Sequence, residues 1–172
     1  MEVYFLRHGL AGQHGDPKYK DDSLRPLTAE GQKKMHRAAL GMRILGLKFD
    51  AVYSSPYLRA KRTAEIAAQV CKIKNKNIHF TDNLLPPASI EELLREVQER
   101  SPRSKDVLFV GHEPHFTEMI SALLKSDEPL AIDLKKGGLC CLTIEQPSDH
   151  QTAVLNWLLT PAQLGSIAKE KQ

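Results

Sequence analysis

The sequence lacks the features that define several common classes of protein. Cysteine is scarce, and Cys71, Cys140 and Cys141 are an odd number without metal-ligand spacing, which favours buried thiols in a reducing compartment. No segment approaches the roughly 20 consecutive apolar residues that a membrane span needs. The apolar stretch that precedes Arg7 is too short for a signal peptide. We therefore expect a cytoplasmic protein.

The chain also lacks a long tract of one charge. It has 24 basic and 21 acidic residues, a net charge of +3, whereas a nucleic-acid binder is expected to gather its basic residues in one patch. The most basic segment, residues 72–77, has no aromatic residues among its lysines and fits a solvated loop better. We expect no nucleic-acid partner, and the small excess of positive charge can serve a small anionic site.

Helix and strand signals alternate along the 172 residues, which fits one α/β domain over residues 1–172 with a substantial core. The predicted strands are 2–6, 49–53, 78–80, 106–110, 139–144 and 153–159, the last two joined by a hairpin turn over 146–151. The predicted helices are 29–45, 57–71, one that Ser89 caps and that runs to about Glu99, an amphipathic stretch after Pro114, and 161–169. Thr28 is the expected N-cap of the first helix, and Gly46 is expected to end it. The polar loop at 12–24 is of a length that often carries function.

Residues that suit phosphate chemistry stand at predicted strand ends. Arg7 and His8 follow the first strand, and His112 follows the strand at 106–110. Ligands bind beyond the carboxyl ends of strands in an open α/β sheet, so the two histidines are expected to share a pocket. A neutral imidazole can attack phosphorus, and a guanidinium can hold two phosphate oxygens. Gly9 is expected to let the backbone turn sharply beneath them.

Four segments resemble the signatures of the histidine phosphatase superfamily, the phosphoglycerate-mutase-like enzymes. They are Leu6-Arg7-His8-Gly9, Leu24-Arg25-Pro26-Leu27-Thr28, Ser55-Pro56-Tyr57-Leu58-Arg59-Ala60 and Val110-Gly111-His112. The segments follow one another over nearly the whole chain. The small size of the chain, together with Leu24-Arg25-Pro26-Leu27-Thr28 before the first helix, looks most like the SixA-type phosphohistidine phosphatases. The resemblance implies a three-layer α-β-α sandwich with a mostly parallel sheet, the phosphoglycerate-mutase-like fold.

The resemblance also implies roles for particular residues. His8 is the implied nucleophile, which becomes a transient phosphohistidine that water then hydrolyses. Arg7, Arg59 and His112 form the implied phosphate pocket, with Arg25 contributing from the loop. Guanidinium groups align and neutralise a phosphoryl group without a metal or other cofactor. Attack requires a neutral His8, so its other ring nitrogen should donate to a carbonyl or carboxylate, which the sequence does not identify.

These residues also have plainer interpretations. Arg7 can be a surface charge, Arg25 can be a loop arginine without a role, and His112 can be a core histidine with satisfied hydrogen bonds. Arg62 is expected to be a solvated helix charge, because only Arg59 matches the family position.

A metal site is a further alternative. His112 and His115 are spaced i, i+3 with Glu113 between them, which can suggest a pair of metal ligands. The segment is not HExxH, however, and no third ligand is evident. We therefore predict no metal and no cofactor.

A group that many members of the superfamily carry is absent here. They place a glutamate after the third strand as the acid that protonates an alcohol leaving group, whereas this chain reads Leu84-Leu85-Pro86-Pro87-Ala88-Ser89. Glu91 and Glu92 follow closely, but carboxylates in a first helical turn are explained by the helix dipole. Imidazole needs less help to leave, since it titrates near about 6.5. This absence favours a phosphohistidine substrate.

Three functions therefore stay open. The first is a phosphohistidine phosphatase acting on a phosphorylated signalling or phosphotransfer protein, with phosphate or another oxyanion in the site. The second is a small-molecule phosphomonoesterase that uses Glu91, Glu92 or Asp16 as its acid. The third is a non-catalytic module that binds phosphorylated partners and releases them intact.

Overall fold

Most of the chain folds around one sheet. The structure is a computed structural model that describes residues 1–128, 130–145 and 152–169. Within these residues six strands pair in the order β3-β2-β4-β1-β5-β6. The parallel strands are β1 (Glu2–Arg7), β2 (Ala51–Ser54), β3 (Ile78–Phe80) and β4 (Asp106–Gly111). The antiparallel strands are β5 (Leu139–Glu145) and β6 (Thr152–Leu159). The predicted mostly parallel sheet is confirmed, and the predicted turn over 146–151 lies outside the described residues.

Helices cover both faces of the sheet. They are α1 (Ala29–Ile44), α2 (Leu58–Cys71), α3 (Ile90–Arg100), α4 (His115–Leu123) and α5 (Pro161–Ile167). Side chains of α1, α2 and α5 pack with Leu6 and Val110 in one core, and those of α3 and α4 pack with Phe5 and Phe109 in the other. Consecutive strand residues therefore enter opposite cores. The three-layer α-β-α sandwich is confirmed, and each large side chain buried in it contributes roughly 1.5–3 kcal/mol.

The neighbouring cysteines follow the same alternation. Cys140 lies in the core beneath α3 and α4, and Cys141 lies in the core on the other face. Both are free thiols, and burial raises the pKa of Cys140 to about 12. Neither cysteine is therefore an ionised nucleophile at neutral pH.

Local signals in the sequence set most helix ends. Thr28 Oγ1 accepts the Gly31 amide at 2.9 Å, and Ser89 forms a capping box with Glu92, so both predicted N-caps are confirmed. The first helix ends before Gly46, whose φ is +78°. No helix in the described part of the chain is long and apolar enough to cross a membrane.

Several predicted boundaries shift by one or two residues. Strand β2 begins at Ala51 rather than residue 49, because the Asp50 carboxylate accepts the amides of Lys105 and Asp106 and interrupts the regular pairing. Helix α2 begins at Leu58, since Tyr57 is extended and its amide donates to Ser55 Oγ. The last helix ends at 167 instead of 169.

Backbone hydrogen bonds tie the carboxyl ends of the strands together. The His8 amide donates to the Gly111 carbonyl at 3.0 Å, and the Ser55 amide donates to the Val110 carbonyl at 2.9 Å. These two bonds connect the residues that follow β1, β2 and β4. The sheet therefore holds His8, Ser55 and His112 at one edge.

Candidate active site

His8 is buried at this edge with one ring nitrogen fixed. It is 5% exposed, and its Nδ1 lies 2.8 Å from the carbonyl oxygen of Gly9. A carbonyl can only accept, so Nδ1 carries the proton and Nε2 keeps its lone pair. Burial, His112 and the charges of Arg59 and Arg7 lower the pKa of His8 to about 2. The ring is therefore a neutral imidazole at pH 7, the form that can act as a nucleophile.

The glycine beside His8 has a different role from the one predicted. Gly9 does not have a positive φ, and an added Cβ would meet Leu27 at an ordinary 3.4 Å, so the turn itself does not require glycine. Its contribution comes from the backbone: the carbonyl orients His8, and the amide donates to Thr63 Oγ1 at 3.0 Å. At Gly111, by contrast, there is no room for a side chain, because a Cβ would lie 2.8 Å from the ring of Phe116.

The guanidinium groups of Arg7 and Arg59 lie at the site, and each donates a hydrogen bond to a backbone carbonyl. Arg7 Nη1 donates to the Leu134 carbonyl at 2.8 Å, and Arg59 Nη1 donates to the Asp22 carbonyl at 2.8 Å. The Nε atoms of both arginines are buried and have no hydrogen-bond partner among the described residues. Since an unsatisfied buried donor is costly, these two N–H groups are suited to an anionic ligand.

Arg25 lies in the same cluster, although it comes from the loop before α1. It is 7% exposed, its Nε is 2.9 Å from Asp22 Oδ1, and its Nη1 donates to the Gly12 carbonyl at 2.7 Å. The backbone of Arg25 is extended, the conformation that a residue before proline favours. By contrast, Arg62 is exposed and pairs with Glu65 at 3.0 Å.

Sequence reasoning missed Asp22, which contacts two of the arginines. One carboxylate oxygen reaches Arg25 Nε, and the other lies 2.9 Å from Arg59 Nη2. Partial burial opposes ionisation, but hydrogen bonds from Arg25 and His14 and the charge of Arg59 hold the pKa of Asp22 well below its usual range. The spacing of Asp22 and Arg25, three residues apart in a polar loop, is the signal that could have indicated the pair.

His112 faces His8 across the site. The two rings are 5.1 Å apart between centroids, and His112 Nε2 lies 2.8 Å from Ser55 Oγ. Burial, followed by the charge of Arg59, lowers the pKa of His112 to about 3. The Tyr57 ring lies 5.2 Å from His112 and stacks under the Arg59 guanidinium at 4.9 Å. The predicted residues Arg7, His8, Arg25, Arg59 and His112 are therefore brought together.

Two of the three candidate acids named from the sequence accept hydrogen bonds from backbone amides, and the third is exposed. Glu92 accepts the Ser89 amide at 2.7 Å in the capping box, Glu91 is exposed, and Asp16 accepts the amide of Lys18 at 2.9 Å. Glu113, directly after His112, accepts the Thr117 amide with Oε2, and its Oε1 is buried without a partner in the described residues.

The alternative metal pair does not form a ligand cluster in the described part of the chain. His112 Nε2 is directed to Ser55, whereas His115 Nδ1 lies 3.6 Å from Glu118. Among the residues described, no three His, Cys, Asp or Glu side chains are grouped as metal ligands.

Comparison with known proteins defines the class to which this fold and site belong. The family model of the histidine phosphatase superfamily (branch 1) matches residues 3–84. The chain is 34% identical over 169 residues to an uncharacterized protein of Picosynechococcus sp., covering 92% of this chain and 99% of that protein. The chain belongs to the histidine phosphatase superfamily.

Comparison with solved structures shows which members of the superfamily have a similar fold. The chain is similar to the protein histidine phosphatase SixA complexed with tungstate, with a TM-score of 0.79, 22% identity, and coverage of 95% of this chain and 99% of that one. A mycobacterial glucosyl-3-phosphoglycerate phosphatase in complex with VO3 gives a TM-score of 0.69 at 16% identity, covering 91% and 97%. The fold is SixA-like and phosphoglycerate-mutase-like, as predicted. Those two proteins were solved with tungstate and VO3, and membership of the superfamily indicates a phosphatase.

Proposed function

We propose that residues 1–172 form one histidine phosphatase domain, a metal-independent phosphatase that removes the phosphoryl group from a phosphohistidine-bearing signalling protein. His8 Nε2 attacks phosphorus, and the bond from phosphorus to the substrate imidazole breaks. The other ring nitrogen of the substrate imidazole takes a proton from solvent, so the imidazole leaves as a neutral base. Water then attacks the phosphohistidine on His8, giving inorganic phosphate and returning a proton to solvent.

One observation carries this proposal: the hydrogen bond from His8 Nδ1 to the Gly9 carbonyl. It leaves the lone pair on Nε2, and the lowered pKa of His8 keeps that lone pair free of a proton near pH 7. A pure binding site requires neither property. Nucleophilic catalysis requires both.

The arginines supply the second requirement, stabilisation of the transferred phosphoryl group. The guanidinium groups of Arg7, Arg25 and Arg59 and the carboxylate of Asp22 leave two net positive charges, which matches a phosphoryl dianion. The buried Nε donors of Arg7 and Arg59 suit phosphoryl oxygens. Such preorganised donors can replace a metal ion in stabilising the transition state.

Phosphohistidine is the preferred substrate class because of its leaving group. An alkoxide must be protonated as it departs, whereas imidazole leaves as a base that titrates near about 6.5. Glu92 and Asp16 are engaged by backbone amides, and Glu91 is exposed. A site in which these carboxylates are directed elsewhere suits a nitrogen leaving group.

A second candidate function is a small-molecule phosphomonoesterase. It is favoured by Glu113, the residue that follows His112, whose Oε1 is buried and has no hydrogen-bond partner among the residues described, because a carboxyl oxygen of this kind is suited to protonating an alcohol. Replacing Glu113 with Gln separates the two functions. A large loss on alkyl phosphates with little loss on phosphohistidine would favour the monoesterase.

The experiment that tests the function compares phosphate release from a phosphohistidine protein with release from a panel of phosphomonoesters, using His8→Ala as the control. We expect selective release from phosphohistidine that a chelator does not inhibit. Inhibition by a chelator and recovery with a divalent metal would instead favour a metal site at His112 and His115. Release no faster than in buffer would leave only the non-catalytic binding module.

A further inference from the structure

Asp22 joins two arginines that come from distant parts of the chain. Arg25 lies in the loop before α1, and Arg59 lies in the first turn of α2. Asp22 Oδ1 lies 2.9 Å from Arg25 Nε, and Oδ2 lies 2.9 Å from Arg59 Nη2. The Asp22 carbonyl also accepts from Arg59 Nη1 at 2.8 Å. One residue therefore contacts both guanidinium groups and holds one of them at two points.

The contacts lie on the solvent side of the arginines. The Asp22 side chain is 37% exposed, whereas the side chains of Arg25 and Arg59 are 8% and 7% exposed. His14, which also contacts Asp22 Oδ1, is 82% exposed. The Nε donor of Arg59, in contrast, is buried and has no partner among the described residues. Asp22 thus binds Nη1 and Nη2 of Arg59 and leaves the Nε–H group for a ligand.

We infer that Asp22 is a positioning residue that holds Arg25 and Arg59 in the orientation in which they bind the phosphoryl group. The inference rests on the proposed function, because it assigns these two arginines to phosphate. A free arginine side chain has many rotamers, and immobilising it before the ligand arrives lowers the entropy lost on binding. Small displacements of such groups are costly to catalysis.

The same contacts have a second possible role, which predicts the opposite change in phosphate affinity when Asp22 is removed. If the carboxylate merely occupied the phosphate position, its removal would vacate the arginines, remove a negative charge and tighten the binding of phosphate. If Asp22 positions the arginines, its removal weakens phosphate binding even though the pocket becomes more positive. The direction of the change therefore distinguishes the two roles.

The test measures the dissociation constant of inorganic phosphate, followed by 31P NMR, for the wild type, Asp22→Ala, Asp22→Asn and Asp21→Ala. Asp21 is the matched control, since its carboxylate accepts the Ser23 amide at 2.9 Å and is not among the arginine contacts. We expect Asp22→Ala to bind phosphate about 10-fold or more weakly. Asp22→Asn should lie between, because an amide can accept from one guanidinium but presents N–H groups to the other. Asp21→Ala should bind as the wild type does.

Kinetics and melting temperature separate positioning from general damage to the fold. We expect Asp22→Ala to raise KM and lower kcat with its melting temperature close to that of Asp21→Ala. Unchanged or tighter phosphate binding in both Asp22 variants would overturn the role of Asp22 while leaving the proposed function intact. Failure of the wild type to bind phosphate at all would overturn both.

Discussion

His112 Nε2 lies 2.8 Å from Ser55 Oγ, so a residue that follows β2 fixes the ring of a residue that follows β4. The Ser55 amide also donates to the Val110 carbonyl at 2.9 Å, which anchors the serine to β4. The hydroxyl can therefore set the orientation of His112 beside His8, whose ring centroid is 5.1 Å away. His112 thus depends on a neighbour that contributes no charge itself.

Replacing Ser55 with Ala should lower kcat/KM by about 10-fold or more, because His112 loses the partner that orients it and keeps a buried unsatisfied nitrogen. Steady-state kinetics with a phosphohistidine substrate would measure the loss. Ser54→Ala, at the end of β2, is the control, since the Ser54 hydroxyl donates to the Ser55 carbonyl and not to His112. Equal effects of the two substitutions would contradict a specific role for Ser55.

The two arginines of α2 should behave differently. Arg59→Ala is expected to lower kcat/KM by about 100-fold, as removal of a charged donor to the transition state does elsewhere. Arg62→Ala should have little effect, because this arginine is exposed and pairs with Glu65 on the helix surface. Inhibition by tungstate should weaken only in the Arg59 variant. Similar kinetics for both variants would remove Arg59 from the phosphate pocket.

Lys136 should contribute to substrate binding from the rim of the site. The adjacent Gly137 amide contacts the carbonyls of Arg7 and His8 at 3.0 and 3.1 Å. Partial burial and the charges of Arg7, Arg25 and Arg59 lower the pKa of Lys136. Lys136 is exposed and lies close enough to these three arginines for their charges to act on it.

We expect Lys136→Met to raise KM for a phosphorylated protein by about 3-fold to 10-fold with kcat nearly unchanged, an effect that diminishes at high salt. Lys135→Met is the matched control, because Lys135 pairs with Asp133. KM of the two variants and the wild type, measured at low and high ionic strength, would test this expectation. An equal change in the two variants would mean that only overall charge matters.

The buried histidines should make the fold sensitive to acid. Their pKa values near 2 for His8 and 3 for His112 are below the value of 6.5 for an unfolded histidine. Between these values the unfolded chain binds protons that the folded chain does not, so the free energy of unfolding falls as the pH decreases below about 6.5. Each histidine should account for about 2 kcal/mol of loss between pH 7 and pH 5.

Urea unfolding at pH 7 and pH 5 tests this expectation. His8→Gln should remove its share of the pH dependence, whereas replacement of the exposed His36 with Gln should not. If the wild type and His8→Gln lost the same free energy on acidification, His8 would titrate alike in the folded and unfolded chains.

The elements could be predicted because their signals are local. Strand β4 contains an uninterrupted apolar run from Val107 to Val110 that is fully buried, and Thr28 and Ser89 cap helices through contacts three residues away. The arginines and histidines of the site were predicted from strand ends and from the family resemblance. Their common location follows from the parallel order of the sheet.

The partners of these residues could not be predicted from the same signals. Asp22 meets Arg59 across 37 residues of sequence, and Ser55 meets His112 across 57, so both contacts depend on how the loops pack. Gly111 needs to be glycine only because Phe116 folds back against it. These contacts are properties of the tertiary structure, whereas the strand ends are properties of local sequence.

The covalent intermediate is the central claim, and rapid-quench trapping with a radiolabelled phosphohistidine protein tests it most directly. We predict an acid-labile phosphoryl group on His8 Nε2 within the first turnover, and neither label nor turnover in His8→Ala. Turnover by the wild type without label on His8, or unchanged turnover by His8→Ala, would contradict the mechanism.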